Sequence, residues 1–528
     1  MTSKLCFLMA LLLSPIAVAQ SAPGANAATY SVTGMVQNSV TGEPIAHALV
    51  QLGGESQKAV FTDSGGRFEF DQLPAGMMTF ASARKPGFLG LNEVDPAAPL
   101  SMIRPGPDAA PVVLKLVPEG IIFGRAQKPD GEPIGFLQIQ AVLSHITDGR
   151  KTLDMMNSIQ TNEEGEFRIA GLRPGTYYLQ AGPRYGTTWI GTAGQRAREA
   201  AYRPVFYPGT SDLASAAPLE VAAGQQVEAD LALSPDPVFR VSGTMQGVPD
   251  ANPDEVWPRL QFLYRSNDVV AVPVEAQPGN EFQAKVPAGT YMLRADVDTN
   301  QGSYRGEIPL NVQSDVSGLS VMLAPAPEIR VNVTSQRSRS QPNAPSGVQA
   351  DRVSIRFRNQ RMKVPSDDYG FDGMNVIRGV NPGAYALEIT PFNSDLYVES
   401  AQCGGVDLLR EDLVIGQGPL PPIQVVLRDD GGSLRGTLMS EGHEAAGTVL
   451  LIPDRAPRQI KASVNGRGRF QFGKLAPGDY TVLAVDRIDN LEYRNPDVLA
   501  SYLSNATHVS VAANGDSQIT VNLIRITK

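Results

Sequence analysis

Leu475-Ala476-Pro477-Gly478-Asp479-Tyr480 reads as a tight turn that delivers an aromatic residue into a strand. Related versions are Leu73-Pro74-Ala75-Gly76, Leu172-Arg173-Pro174-Gly175-Thr176-Tyr177, Val286-Pro287-Ala288-Gly289-Thr290-Tyr291 and Val380-Asn381-Pro382-Gly383-Ala384-Tyr385. Proline presets the backbone for a turn and glycine enters conformations other residues avoid, so Pro-Gly marks the turn and the apolar alternation after it marks the strand. The glycines fall at 76, 175, 289, 383 and 478, at intervals of 99, 114, 94 and 95 residues. A period of one domain length means tandem copies of a domain, because solenoid repeats run only about 20–50 residues.

The segments around each turn recur in the same order. In the first copy Tyr30 to Val36 alternates as a strand, Gly42-Glu43-Pro44-Ile45 turns, and Ala48 to Leu52 is a second strand. Thr62-Asp63-Ser64-Gly65-Gly66 then turns into Arg67-Phe68-Glu69-Phe70, with both phenylalanines on one face. The second and fifth copies repeat this closely; the third and fourth keep the Pro-Gly or Pro-Ala-Gly turn and its tyrosine. Each copy closes on another alternating strand, such as Val112 to Leu116 or Ile519 to Leu523. Short strands punctuated by Gly, Pro, Asn and Asp, with almost no helical periodicity, predict an all-β chain of five tandem β-sandwiches. The expected spans are 29–117, 118–235, 237–326, 327–428 and 430–528. Prolines at the junctions, as in Pro235-Asp236-Pro237, stiffen the connections and predict an elongated string. Two helices are expected, one capped by Asn495 and running to Ser504, the other in 193–201.

The 528 residues carry a formal charge of −9 and no basic block, which argues against nucleic acid, whose binding needs clustered Lys and Arg. Lys4, the apolar run Leu5 to Leu13 and the small-residue site Ala17-Val18-Ala19 read as a secretory leader over 1–19, cut between Ala19 and Gln20. Secretion or a periplasmic location follows, and no later apolar run is long enough to span a bilayer. Cys403 is then the one remaining cysteine, which leaves no intramolecular disulfide.

These residues resemble the carboxypeptidase regulatory-like domain family, a transthyretin-like (prealbumin-like, Ig-like) β-sandwich grouped with carbohydrate-binding-like and Cna-B-type folds. The shared pattern is V-x-G-x-V, G-x-P-I-x-x-A-x-V-x-L, T-D-x-x-G-x-F-x-F and L-P-x-G-x-Y. The first copy meets it with Val32, Gly34, Val36, Gly42, Pro44, Ile45, Ala48, Val50, Leu52, Thr62, Asp63, Gly66, Phe68, Phe70, Leu73, Pro74 and Gly76, with Met78 in the aromatic position. The layout looks like that of secreted bacterial proteins built from several such domains. The resemblance implies a fold and leaves the ligand open, because its residues are turns and core. Two activities met in the family are unsupported: no H-x-x-E zinc motif occurs, and no opening strand carries the lysine an isopeptide cross-link needs.

The chain offers no nucleophile elbow, P-loop or H-E-x-x-H, so no catalytic residue, cofactor or metal is expected. His47, His145, His443 and His508 are scattered singly. The acidic turns at Asp63, Asn162 and Asp367 supply too few oxygens for calcium and read as hairpin turns. The long segment 183–210 stands out, because Tyr185, Trp189, Tyr202, Phe206 and Tyr207 bring aromatic faces suited to stacking on sugar rings. The expectation is a non-catalytic binding or structural protein whose partner is a cell-surface polysaccharide or an envelope protein; a carbohydrate site at Tyr185, Trp189, Tyr202 and Tyr207 is the alternative, and a hydrolase with an unrecognised site is the third reading, for which the sequence offers no candidate pair.

Overall fold

The computed structural model describes residues 28–53, 58–76, 78–95, 98–182, 200–247, 259–264, 267–277, 280–299, 302–337, 351–359, 369–416, 418–466, 468–489 and 491–526. Nearly all of these lie in strands or the turns between them. In the first sandwich the opening strand Thr29–Asn38 pairs antiparallel with Arg67–Pro74 and parallel with the closing strand Val112–Pro118. The second sheet joins Ala59–Phe61, Leu49–Leu52, Thr79–Arg84 and Ser101–Ile103. The same scheme, with opening strand parallel to closing strand, recurs at Gly120–Gln127, Asp236–Gln246, Ile329–Gln336 and Gly432–Ser440. Parallel pairing cannot be closed by a hairpin, so the chain must cross through the other sheet before it returns, and that crossing makes each copy a sandwich. The third copy departs from two separate sheets: Asn267–Gln277 pairs both with Arg259–Tyr264 and with Glu281–Pro287.

The opening-strand glycine has a steric reason. A Cβ on Gly124 would lie 2.5 Å from the Ala229 carbonyl oxygen, and one on Gly436 2.7 Å from that of Ile519. Gly34 and Gly243 meet Val112 and Leu319 in the same way. Only a residue without a side chain lets the closing strand pass there. The turn tyrosine is structural as well. Tyr177, Tyr291, Tyr385 and Tyr480 are buried, and each hydroxyl donates to the carbonyl four residues earlier, at Arg173, Pro287, Asn381 and Ala476, over 2.6–2.8 Å. The ring fills the core while its polar tip ties the Pro-Gly turn down. In the first sandwich Met78 does not take this place. It is 59% exposed, while Thr79, Ala81 and Ala83 face inward. The turn is effectively one residue longer, and a one-residue slip reverses every side chain of a strand.

Asn495 caps the helix Pro496–Ala500, its side chain accepting from the Asp497 amide at 3.2 Å, but this helix stops short of Ser504. The helix expected at 193–201 is not formed where it can be seen: Ala200–Ala201 is a strand paired with Asp236 and Pro237, and 193–199 lie outside the described residues.

The chain divides at Glu119 into two compact units. From Gly120 onward four sandwiches form one of them. Within this unit the hairpin at 147–150 meets the fifth sandwich: Gly149 lies against the Tyr493 ring, and Asp148 binds Tyr493 and Arg494, 345 and 346 residues further along the chain.

Candidate functional site

Of the residues the sequence singled out, Tyr202 is 2% exposed and belongs to the second sandwich core with Val205 and Leu231. Its ring has no free face, and burial raises the phenol pKa. This corrects the expectation that Tyr202 stacks on a sugar. Phe206 is fully buried, and Tyr207 is half-buried against the same core. An aromatic-rich loop looks the same in sequence whether its rings cover the open end of a sandwich or face outward. Tyr185 and Trp189 lie outside the described residues. The Cys403 thiol is buried, donates to the Pro421 carbonyl at 3.2 Å, and has its pKa raised by burial. Asp63 accepts from the amides of Gly65 and Arg67 at 2.9 and 2.8 Å, and Asn162 from that of Glu166 at 2.7 Å, so both turns are closed by their own side chains. Asp367 is outside the described residues. Among the described residues no cluster of three or more His, Cys, Asp or Glu is placed to hold a metal.

A cavity of about 220 Å³ lies between the fourth and fifth sandwiches. It exists because the loop after Leu451 leans into the neighbouring domain. Ala456 joins the fourth sandwich's core, Gln459 donates to the Leu387 carbonyl at 2.9 Å, Arg455 pairs with Glu399 at 3.1 Å, and Arg458 pairs with Asp412. The floor is apolar, with Ile389, Leu396, Leu451, Ile460 and Tyr480. Burial holds the Tyr480 phenol up at about 12, so it stays neutral. Arg455, Arg458, Lys461, Lys474 and Arg494 line the cavity with one acid, Glu388, and Glu399 and Asp412 pair with the first two of these arginines. Sequence reading missed this site. Arg455, Arg458 and Lys461 crowd into seven residues of an acidic chain, which was the available signal; Lys474 and Arg494 join them only through the fold.

One wall of the cavity is a junction of three sandwiches. Arg494 donates through Nε to the Asp148 carbonyl at 2.9 Å and through Nη1 to the Arg458 carbonyl at 3.0 Å. It also pairs with the Asp148 carboxylate and with Glu388, each at 3.3 Å. Arg358 spans Glu388 at 3.3 Å and Asp148 at 3.8 Å, and the Tyr493 hydroxyl donates to Asp148 at 2.8 Å. Guanidinium groups suit this task, since their donors form a rigid planar fork that reaches several acceptors at once.

Residues 31–98 match the sequence profile of the carboxypeptidase regulatory-like domain. No curated protein matches the chain. Among solved structures, the minor pilin of Streptococcus agalactiae aligns with 16% identity over 39% of this chain and 97% of its own, at a TM-score of 0.21. The major pilin subunit BcpA of Bacillus cereus aligns with 10% identity over 76% and 99%, at 0.14, and the Bacillus anthracis TIE protein with 9% identity over 96% and 76%, at 0.16. Superpositions this loose decide nothing about arrangement or role. The chain is a multi-domain, nearly all-β protein whose first sandwich matches the carboxypeptidase regulatory-like domain.

Proposed function

We propose that this chain is a secreted or periplasmic, non-catalytic binding and structural protein, built of five sandwiches at 29–117, 118–235, 237–326, 327–428 and 430–528, that contacts cell-surface glycan or an envelope protein. The observation that supports it most is where the repeat spends its residues. The recurring glycine, proline and tyrosine go into close strand crossings, turns and buried hydrogen bonds, so what is repeated is a scaffold and not a reactive group. The leader-like start Lys4 to Ala19 favours export. An outward aromatic surface favours binding: on the first sandwich Phe80 is 39% exposed, lies over Gly53, and pairs across the sheet with exposed Met102. No helix among the described residues is long and apolar enough to cross a membrane.

A carbohydrate site in the segment 183–210 is the second reading. With Tyr202 in the core it rests on Tyr185 and Trp189, which lie outside the described residues, and on half-buried Tyr207. The test is binding of mature Gln20–Lys528 to purified polysaccharides and to envelope protein fractions, with Trp189→Ala alongside. Saturable glycan binding lost in the variant selects the second reading. Binding that survives it selects the first, and turnover of a bound substrate would refute both.

A further inference from the structure

The cavity between the fourth and fifth sandwiches has two kinds of wall and one unmet requirement. Its apolar floor excludes a strongly hydrated ligand. Its three arginines already have acids: Arg455 has Glu399, Arg458 has Asp412, and Arg494 has Asp148 and Glu388. Lys461 and Lys474 line the same cavity and have no carboxylate partner among the described residues. Once the arginines are neutralised, the cavity keeps two positive charges with nothing opposite them.

Lys461 also bears the cost of its position. Its residue is exposed by surface area, yet it lines the cavity wall, and partial loss of water there lowers its pKa. A lysine on an open face would be hydrated all round. In a cleft, an anion is the group that replaces the missing water, since charge-assisted hydrogen bonds are among the strongest a protein makes. The size adds a limit. At about 220 Å³ the cavity is smaller than the ~300–1,000 Å³ of drug-sized ligand pockets, so the apolar part of the ligand must be compact.

We propose that this cleft is a binding site for a small anionic amphiphile, a carboxylate on a compact apolar body, with the carboxylate at Lys461 and Lys474 and the apolar part on Ile389, Leu451 and Ile460. The site depends on the seam between two sandwiches and not on either alone. The envelope-binding reading does not use this cleft, so each can fail without the other.

Octanoate is the probe and calorimetric titration of the full mature chain is the measurement. Octanoate binds saturably, 1-octanol binds at least about tenfold more weakly, and the double variant Lys461→Gln/Lys474→Gln loses about tenfold or more in octanoate affinity while its thermal midpoint stays near that of the parent. A second readout needs no variant: octanoate, and not octanol, protects Lys461 and Lys474 from acetic anhydride in the native chain, read by mass spectrometry. Absence of octanoate binding overturns the proposal. So does equal binding of octanol, or unchanged affinity in a folded double variant, or protection that falls on other lysines. If the double variant does not fold, the labelling result decides.

Discussion

Arg494→Ala removes the group that holds three sandwiches together, and its effect can be worked from the contacts. The guanidinium reaches the carbonyls of Asp148 and Arg458 and the carboxylates of Asp148 and Glu388. Its own side chain is 9% exposed and that of Glu388 16%. Breaking a buried ion pair by deleting one member commonly costs about 3–5 kcal/mol, because the other charge is left uncompensated. Here the loss is smaller. Glu388 keeps Arg358, and Asp148, 42% exposed, regains water and keeps the Tyr493 hydroxyl. Loss of the contact between Arg494 and the Tyr493 ring, 5.7 Å apart, adds about 0.5–1 kcal/mol. The expected sum is about 2–3 kcal/mol in the free energy that docks the hairpin at 147–150. At about 1.4 kcal/mol per tenfold, that is roughly a 30- to 150-fold rise in hydrogen-exchange rate for the docked amides. The reporter is the backbone amide of residue 494 itself, whose N–H donates to the Gly149 carbonyl at 3.0 Å and is kept in every one of these substitutions, so its exchange is read directly in Arg494→Ala, Arg494→Lys, Tyr493→Phe and Asp148→Ala chains. Lysine lacks the planar fork and should rescue little. Unchanged exchange in all of these chains would refute the reasoning, since the seam would then contribute nothing in solution.

Further outcomes follow from the same contacts. Gly436→Ala should destabilise the fifth sandwich by about 1–3 kcal/mol in chemical denaturation, because its Cβ would press on the Ile519 carbonyl and the Phe470 ring, whereas Gly466→Ala, with open space around it, should change little. Burial raises Tyr177, Tyr480 and Tyr493 to about 12 from an ordinary 10.0. Between about pH 10 and 12 the unfolded chain has lost these protons and the folded chain still holds them, so stability should be intact below pH 10 and fall as the pH rises through that window, with the phenolate absorbance of these three tyrosines appearing only on unfolding. Cys403 should resist a thiol reagent in the native chain and react fully in denaturant, because it is 4% exposed and its thiol is committed to Pro421.

The parts of the fold legible in the sequence were those encoded over a few residues. The Pro-Gly turn, the opening glycine and the Asx turns at Asp63 and Asn162 each need only local chemistry, and each is used as its spacing implied. Met78 was misleading because motif spacing counts residues and does not register a turn that is one residue longer; only the pairing of Thr79 with Ile103 settles which side chains face inward. The seam was invisible for a different reason. Asp148-Gly149 is an ordinary hairpin tip in sequence, with Gly149 at a φ of +71°, and nothing nearby announces that Tyr493 and Arg494 will close on it. The cleft is similar: Lys461 and Lys474 stand on different strands, and their lack of a partner appears only once Glu388, Glu399 and Asp412 have been assigned to arginines.

The most direct measurement of the central claim is an equilibrium binding isotherm of the folded, mature chain on isolated envelope polysaccharide and envelope protein fractions, with product formation monitored in parallel. Saturable binding to one fraction, retained in Lys461→Gln/Lys474→Gln and unaccompanied by turnover, is the predicted result. No saturable binding to either fraction, or catalytic conversion of a bound component, would contradict a non-catalytic binding role.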